Sequence, residues 1–264
     1  MIYIKTPEEI ELTRAASDLV SRTLGEVAKW VKPGVTTLKL DTIAREFILD
    51  NGGKPACLGY HGFPGTLCIE VNETVVHGFP SNYALREGDI VGTDCVVELN
   101  GFNGDSCYTF AVGEIDPKVQ ALLTDTKASL YKGIEAAKVG KRVGDVSNAV
   151  QTYVERRGYS VVREMCGHGI GKSMHEDPEV PNYGRRGIGP VLKPGMIICI
   201  EPMINLGSKN IVIDRNNGWE CRTRDRKPSA HFEHTVLITA DEPEILTTFA
   251  YIEESLAASD KDLK

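Results

Sequence analysis

IVGTDCVVELNGFNGDSCYTF, residues 90–110, determines more of the predicted fold than any other stretch of the chain. Two strand-like runs flank an Asn-Gly dipeptide at 100–101, the dipeptide that best marks a two-residue hairpin turn. A turn centred there pairs residues whose numbers sum to 201, so Asp94 faces Cys107 and Asp105 lies one pair along on the same face. A β-bulge would break this parity. The hairpin therefore predicts two carboxylates near enough to reach a shared pair of metals about 3.5 to 4 Å apart.

Three carboxylates lie within runs that otherwise have the character of buried strands. They are Asp94 in IVGTDCVVEL, Glu201 in MIICIEPMI and Glu233 in HFEHTVLI. A buried carboxylate must be paired, protonated or bound to a cation, because its uncompensated desolvation costs several kcal/mol. A single strand Asp is often only an edge or turn residue. Three such residues together predict a positive charge where the strands meet.

A histidine joins these carboxylates as a candidate ligand. His168 lies in CGHGIG, whose glycines are expected to let the backbone turn sharply and bring the imidazole close to other groups. The candidate metal ligands are Asp94, Asp105, His168, Glu201 and Glu233. A lone histidine is more often hydrogen-bonded in a core. Oxygen-rich ligation with one or two imidazoles suits Mn(II), Fe(II), Co(II) or Zn(II), and a water shared by two such ions is a hydrolytic nucleophile.

The helical pattern repeats about a hundred residues along the chain. The capping residues Thr6 and Glu9 predict a first helix that ends near residues 32–34. Further helices are predicted over 38–49, from Asp116-Pro117 to about Gly140, and within 140–158, a segment that aligns without a gap on 34–52. Any two amphipathic helices can be superposed, so the order of the following strands carries more weight.

Strand-like runs follow each predicted helix pair in the same order. They span 67–76, 89–99 and 102–112 in the first half, and 160–165, 196–204 and 232–239 in the second. This arrangement predicts one α+β domain over residues 1–264. Its approximate internal repeat consists of 1–113 and 114–250, and residues 251–264 form a polar tail, predicted as a short helix or a loose end.

Composition excludes several classes of protein. The 264 residues carry a net charge of −7 and no basic run, so DNA is not an expected partner. The N-terminus lacks the features of a secretory signal, and no apolar stretch is long enough to predict a membrane span. Seven cysteines without a CxxC pair argue against a disulfide framework and a thiolate zinc site. These features predict a reduced, cytoplasmic protein.

Six segments resemble the motifs of type I methionine aminopeptidases, metallopeptidases of the pita-bread fold. They are NETVVHGFP around His77, DIVGTDCVV around Asp94, GFNGDS around Asp105, CGHGIGKSMHE around His168 and His175, IEPM around Glu201, and HFEHT around Glu233. The resemblance runs from the first helix to about residue 248. It implies two halves related by a pseudo-two-fold axis, each with a helix pair and antiparallel strands, and helices that cover a central curved sheet.

The resemblance implies a metal-dependent aminopeptidase that removes the initiator methionine from nascent proteins and peptides. Asp94 would chelate one divalent ion, His168 and Glu201 would bind a second, and Asp105 and Glu233 would bridge the two. A hydroxide between the ions would attack the first peptide bond. By the same resemblance His77 contacts the scissile amide nitrogen, His175 stabilises the oxyanion, and Glu201 assists proton transfer.

An apolar pocket for the methionine side chain is also implied. With His77 and His175, its lining would be Cys57, Tyr60, His61, Phe63, Cys68, Met174 and Trp219; without the resemblance, these aromatics and cysteines would be interpreted as ordinary core. Asn72, Thr74 and Ser229 match positions that hold one Na⁺ or K⁺ in some members. The resemblance further implies a monomer that acts on N-terminal peptides. Transient ribosome contact is a candidate interaction on which the sequence itself is silent, and composition predicts neither a membrane nor a DNA partner.

This chain differs from the enterobacterial members of the family at five positions, none of which is a candidate metal ligand. Met174, Phe63, Asn103, Val96 and His231 stand where an aromatic residue, Tyr, His, Thr and Gln are common. These positions affect fine substrate specificity and the side chains that orient the metal ligands.

Three functions other than methionine removal are alternatives for a chain with these motifs. A proline-specific aminopeptidase or prolidase would usually carry a further N-terminal domain. A catalytically silent scaffold would be expected to lose ligands. A structural metal domain would need closed coordination, whereas the short segments beside the histidines have the character of a cleft rim.

Overall fold

The computed structural model describes residues 1–262 of the chain. The α-helices in this range are α1 (Pro7–Ala28), α2 (Thr37–Asp50), α3 (Pro117–Ala136), α4 (Val143–Glu155) and α5 (Ala250–Asp262). The strands are β1 (Lys54–Pro55), β2 (Leu67–Val71), β3 (Thr74–Val76), β4 (Ile90–Leu99), β5 (Phe102–Ala111), β6 (Ser160–Val161), β7 (Gly167–Gly169), β8 (Glu176–Val180), β9 (Ile197–Ile200), β10 (Met203–Asn205), β11 (Ile211–Ile213), β12 (Cys221–Thr223), β13 (Ser229–His231), β14 (His234–Leu237) and β15 (Glu244–Ile245). This order of elements confirms the predicted α+β class.

The start of α1 is determined by a capping box. The Thr6 side chain accepts a hydrogen bond from the Glu9 amide at 3.3 Å, and the Glu9 carboxylate accepts one from the Thr6 amide at 3.1 Å. The predicted end near residues 32–34 is wrong, because α1 stops at Ala28. The amides of the next three residues bond three residues back, so the chain leaves the helix through tight turns before it reaches Pro33.

Four glycines lie at matching positions on either side of α2 and α4. Gly34 and Gly52 bracket α2 with φ of 89° and 77°, and Gly140 and Gly158 bracket α4 with φ of 80° and 86°. Left-handed backbone of this kind favours glycine. The two helices occupy equivalent positions between these turns, as the gapless alignment of the two segments predicted.

The strands form sheets that belong mostly to one half of the chain. In the first half, β4 pairs with β5 along one edge and with β1 and β2 along the other. In the second half, the order is β15-β14-β9-β7-β8, and a smaller sheet has the order β13-β10-β6. A second three-stranded sheet, β11-β12-β3, joins strands from both halves. All pairings between these strands are antiparallel.

Two predicted second-half strands are shorter than expected. The run at 160–165 forms strand only over Ser160–Val161. The run at 196–204 divides into β9 and β10 at Glu201 and Pro202. Proline has no amide hydrogen for a ladder, so the strand is interrupted beside the candidate ligand Glu201.

The largest apolar core draws side chains from both halves, from Leu19 of α1 to Ile252 of α5. The predicted polar tail is helical through residue 262, and Ile252 within it is fully buried. Residues 263–264 of that tail lie outside the described part of the chain. All seven cysteines are free thiols. Of the helices in residues 1–262, none combines the length and apolar character needed to cross a membrane.

Candidate metal centre and substrate pocket

The β4–β5 hairpin supplies the first two candidate ligands. Its register pairs Asp94 with Cys107 and Val96 with Asp105 without a bulge, which confirms the predicted parity. The turn residues Asn100 and Gly101 have φ of 53° and 81°, as a type I′ turn requires. Asp94 and Asp105 therefore project from the same face of the hairpin.

Hydrogen bonds between β5 and the chain around β14 bring the second half to this face. The Glu233 amide donates to the Cys107 carbonyl at 2.9 Å, and the Ser106 hydroxyl donates to the Glu233 carbonyl at 2.8 Å. Glu201 directly follows β9, the neighbour of β14. Strands from both halves thus converge on one group of carboxylates.

His168 lies on β7, beside β9. Its Nε2 is 3.7 Å from Asp105 Oδ2 and 3.5 Å from Glu201 Oε1. Its Nδ1 donates to the Gly169 carbonyl at 2.9 Å, which leaves the Nε2 lone pair facing the carboxylates. Burial, with His175 adding, lowers the pKa of His168 to about 3. The imidazole is therefore neutral, as a metal ligand must be.

The glycines on either side of His168 do not form the predicted sharp turn. Gly167 and Gly169 lie in a strand, and neither has a positive φ. A Cβ on Gly167 would lie 2.2 Å from the Cys199 carbonyl, and one on Gly169 equally close to the Asp177 carbonyl, at 2.2 Å. These glycines permit close approach of neighbouring strands, so the expectation of a sharp turn is wrong.

Three carboxylate oxygens of this cluster have no hydrogen-bond partner in the described part of the chain. Among the described residues, Asp94 Oδ1, Asp105 Oδ1 and Glu233 Oε1 are buried without a hydrogen bond. Burial raises the pKa of Asp105 and of Glu233 well above the usual range, and nearby carboxylates add to it. Buried unpaired oxygens in a group of like charges fit a divalent cation.

Cys199 is a member of the cluster that sequence reasoning missed. One ligand atom from each of Asp105, His168, Cys199 and Glu233 lies within 4.8 Å of the others. Cys199 stands two positions before Glu201, and that spacing was the signal available in the sequence. Burial, with Glu233 adding, raises the pKa of the Cys199 thiol well above its usual range, which favours the protonated thiol in the metal-free protein.

A cavity of about 870 Å³ opens onto the carboxylates. Its lining includes every predicted metal ligand, catalytic histidine and pocket residue: Cys57, Tyr60, His61, Phe63, Cys68, His77, Asp94, Asp105, His168, Met174, His175, Glu201, Trp219 and Glu233. The structure thus brings together residues that span more than half of the chain.

Two further histidines face the cavity. His175 Nδ1 lies 3.1 Å from the Tyr60 hydroxyl, and the His175 ring is 4.5 Å from that of His168. His77 has a left-handed backbone with φ of 59°, and its ring meets Trp219 edge-on at 5.7 Å. Burial lowers the pKa of both His77 and His175. Both rings are therefore neutral near pH 7.

The apolar end of the cavity is a distinct cluster of side chains. Its members are Cys57, Phe63, Cys68, Val96 and Met174, with Ala56, Tyr60, Phe79 and Trp219 packed against them. The Phe63 ring makes edge contacts with Phe79 and with Trp219, both at 5.3 Å between centroids. Phe79 and Ala56 were not predicted for this pocket, and Val96 was noted only as a departure from the family pattern.

The three residues predicted to hold a monovalent cation are only partly drawn together. The Ser229 amide donates to the Asn72 carbonyl at 2.9 Å. The Asn72 side chain bonds to Asp89 at 2.8 Å, and the Thr74 hydroxyl bonds to Glu220 at 3.2 Å. These side chains thus have separate partners.

Comparisons with known proteins identify the family of this chain. Residues 11–240 match the model of metallopeptidase family M24. The chain is 50% identical over 247 residues to a methionine aminopeptidase of Clostridium perfringens, with 94% of this chain and 99% of that protein covered. It is 47% identical to methionine aminopeptidase 1 of Bacillus subtilis, with 94% and 99% covered.

Solved structures give the same result. The crystal structure of methionine aminopeptidase from Rickettsia prowazekii superposes with a TM-score of 0.93 at 42% identity, covering 94% of this chain and 100% of that one. A prolidase from Pyrococcus horikoshii superposes with a TM-score of 0.76 at 21% identity, covering 93% and 63%. The second likeness concerns the fold alone.

Proposed function

The chain belongs to metallopeptidase family M24, among its methionine aminopeptidases, and from this premise we propose that it removes the initiator methionine from nascent proteins and peptides. The observation that carries the proposal is one cavity of about 870 Å³ lined by the acidic cluster, His77, His175 and the apolar pocket. Such a cavity can hold a side chain and present its adjoining peptide bond to the acidic cluster.

The family uses divalent metal, and we propose two ions per chain, drawn from Mn, Fe, Co or Zn. The residues that would hold them are Asp94, Asp105, His168, Glu201 and Glu233. When bound, the ions supply Lewis-acid polarisation of the scissile carbonyl and lower the pKa of water. The unpaired oxygens of Asp94, Asp105 and Glu233 support this assignment.

His175 is assigned the stabilisation of negative charge on the carbonyl oxygen. The Tyr60 hydroxyl lies 3.1 Å from Nδ1, and in the tautomer assigned here it donates to Nδ1 while the ring proton is on Nε2. That N–H is then available to the cavity. A fixed donor of this kind acts where charge develops in the transition state.

His77 is assigned contact with the nitrogen of the scissile bond. Its backbone is held in the left-handed region at φ 59°, a conformation that costs free energy and is common at functional sites. The edge contact with Trp219 fixes the ring beside the apolar pocket. A neutral imidazole there can hydrogen-bond the amide as it becomes an amine.

Glu201 is assigned the movement of a proton from the attacking water to the leaving amine nitrogen. Burial, with Asp105 adding, raises the pKa of Glu201 well above its usual range. A carboxylate that holds a proton transiently near neutral pH suits general acid–base catalysis. Its position beside His168, at 3.5 Å, keeps it at the acidic end of the cavity.

The apolar pocket is assigned the methionine side chain. Phe63 makes edge contacts with Phe79 and with Trp219, beside Cys57, Cys68 and Met174. Thioether sulfur makes favourable contacts with aromatic rings, and an unbranched side chain fits an irregular pocket. We therefore expect methionine to be preferred to leucine or alanine at the first position.

Several further properties belong to the same proposal. The chain acts as a single domain over 1–264, which the core shared by both halves supports. It works in the cytoplasm as a monomer on N-terminal peptides, with transient ribosome contact and no DNA or membrane partner. One Na⁺ or K⁺ binds near Asn72, Thr74 and Ser229. Sedimentation with and without ribosomes tests the assembly claims.

The test uses purified protein loaded separately with Mn(II), Fe(II), Co(II) and Zn(II). Peptides that differ only at residue one (Met, Leu or Ala), and one with Pro second, are incubated with it and the free amino acid is quantified. We expect metal-dependent release of methionine in preference to leucine and alanine. Asp105→Asn should abolish release, whereas the exposed Asp50→Asn should not change it.

Other outcomes distinguish the alternatives. Preferential cleavage before proline, without methionine preference, would move the chain to the proline-specific peptidases. No hydrolysis with any metal, in a protein that still binds metal, would favour a scaffold. Because all candidate ligands are intact in this chain, we expect neither result.

A further inference from the structure

A buried carboxylate–histidine pair lies behind the proposed metal centre and has no part in the functions assigned so far. Glu70 on β2 is 3% exposed, and His231 at the end of β13 is 2% exposed. His231 Nδ1 lies 3.1 and 3.2 Å from the two carboxylate oxygens of Glu70. Burial raises the pKa of Glu70 to about 7. In its ionised form Glu70 can only accept, so Nδ1 then carries the proton and the ring orientation is fixed from one side.

The other ring nitrogen faces the reacting site. His231 Nε2 is buried without a hydrogen-bond partner among the described residues. It lies 3.8 Å from Glu201 Oε2, and His231 lines the same cavity as the metal ligands. A buried ring nitrogen without a hydrogen-bond partner lowers the stability of the fold, so a functional role is needed to explain it.

The surroundings of Glu70 are shaped for a carboxylate. Glu70 pairs with Gly92 across β2 and β4, and a Cβ on Gly92 would lie 2.3 Å from Glu70 Oε2. Cys107 Sγ lies 3.9 Å from the same oxygen. Any side chain at residue 92 would displace the carboxylate.

The backbone of His231 is held just as firmly. Its amide donates to the Thr109 hydroxyl at 3.0 Å, and that hydroxyl donates to the His231 carbonyl at 2.7 Å. The His231 backbone, the tautomer of its ring and the orientation of that ring are therefore all restrained. Glu201 is the charged group toward which Nε2 points.

We propose, on the basis of the function proposed above, that Glu70 and His231 act as a positioning pair for Glu201. Glu70 holds the His231 ring in one orientation with the proton on Nδ1, and the Nε2 lone pair can then accept a hydrogen bond from the Glu201 carboxyl group while that group carries the proton it transfers. Neither residue touches the substrate in this assignment. The two side chains act as one unit, so loss of either should remove the effect of both.

A metal site is the competing interpretation of the same residues. Glu70, Cys107 and His231 each offer an atom within 4.8 Å of the others. The existing bond between Nδ1 and the carboxylate argues against it, because an ion would have to replace that bond. The number of bound metal equivalents separates the two interpretations.

The kinetic test compares wild type, His231→Gln, Glu70→Leu, Glu70→Gln and the double variant Glu70→Leu/His231→Gln. With a methionine peptide we expect His231→Gln and Glu70→Leu each to lower kcat about 10- to 100-fold, with KM little changed. The double variant should be no slower than the slower single variant. Glu70→Gln keeps a neutral acceptor for Nδ1 and should recover part of kcat.

A second readout does not depend on catalysis. In metal-free protein, ¹⁵N NMR of the imidazoles should find His231 protonated at Nδ1 in wild type, and no longer held in that single form in Glu70→Leu. Asp41→Asn is the matched control, since Asp41 is also a buried carboxylate, bonded to the Thr66 and Leu67 amides away from the cavity. It should leave both kcat and the His231 signals unchanged.

Three results would overturn the proposal. One is additive loss of kcat in the double variant, and another is a wild-type His231 protonated only at Nε2. The third is a further metal equivalent that disappears in Cys107→Ser. An inactive wild type with normal His231 signals would instead count against the proposed function, so the two failures can be told apart.

Discussion

The Thr235 hydroxyl joins the two halves of the chain at Asp105. It accepts a hydrogen bond from the Asp105 amide at 3.2 Å and donates one to the Asp105 carbonyl at 2.8 Å. Thr235 comes from β14 and Asp105 from β5, so this pair of bonds connects strands from the two halves of the chain. It fixes the backbone of a proposed bridging ligand from the opposite half.

Replacing that hydroxyl should weaken both the fold and the metal site. Thr235→Val leaves a buried amide and a buried carbonyl unpaired, which should cost about 1–3 kcal/mol in the free energy of unfolding. Because Asp105 loses its anchor, metal affinity should fall as well. Denaturant unfolding and calorimetric metal titration measure the two effects, and unchanged metal affinity would contradict the anchoring role.

Thr93 offers the matched opposite case. Its hydroxyl is fully buried and has no hydrogen-bond partner among the described residues. Thr93→Val removes an unsatisfied polar group at nearly constant volume, so it should raise the free energy of unfolding by about 1 kcal/mol. Denaturant unfolding checks the sign. A loss of stability would show that the hydroxyl is satisfied.

Asp105 should affect stability in opposite directions with and without metal. In metal-free protein, burial and Glu233 hold the pKa of Asp105 above its usual range, so the folded state loses stability as pH rises through that raised value. Asp105→Asn should therefore stabilise the metal-free protein at neutral pH. Saturating Mn(II) at about 100 times its Kd should add about 2.7 kcal/mol to the wild type and less to the variant.

Thermal unfolding with and without Mn(II) measures both effects. Asp50→Asn is the control, because it removes a charge from the exposed end of α2 and should leave the metal-dependent shift unchanged. Destabilisation by Asp105→Asn in both conditions would contradict the account of crowded carboxylates.

His175 should affect turnover far more than folding. His175→Ala removes the proposed donor to the carbonyl oxygen, so kcat should fall about 100- to 1000-fold with metal content unchanged. Tyr60→Phe keeps the imidazole and removes only the bond at 3.1 Å, so its effect should be smaller in the same direction. Steady-state kinetics on a methionine peptide compares them. Equal losses in the two variants would assign the donor role to Tyr60.

A buried ion pair connects the N-terminal segment to the strand that follows His175. Lys5 bonds to Glu176, and their side chains are 5% and 6% exposed. Lys5→Met leaves a buried carboxylate uncompensated and should cost about 3–5 kcal/mol. Lys5→Met/Glu176→Leu should recover most of that loss. Thermal unfolding of both variants measures this recovery. Equal instability of the single and double variants would contradict the view that an uncompensated charge causes the loss of stability.

Prediction from the sequence was most successful where one short segment determined the local backbone geometry. The turn at 100–101 specified the register of β4 and β5, and parity then placed Asp94 and Asp105 on one face. Gly34, Gly52, Gly140 and Gly158 marked the repeat because left-handed turns leave few other choices of residue.

Features that depend on distant neighbours could not be predicted in the same way. A glycine permits either a turn or the close approach of another strand, and CGHGIG does not distinguish these uses, so the role of Gly167 and Gly169 was misassigned. The pairing of Glu70 with His231 joins residues 161 positions apart, and only the folded chain reveals it. Cys199 entered the acidic cluster for the same reason.

The most direct test of the central claim is anomalous diffraction at the manganese edge from crystals of protein loaded with Mn(II) and active toward a methionine peptide. We predict two anomalous peaks in the cavity, within coordination distance of Asp94, Asp105, His168, Glu201 and Glu233. Peaks elsewhere in an active enzyme, with none among these five residues, would contradict the claim.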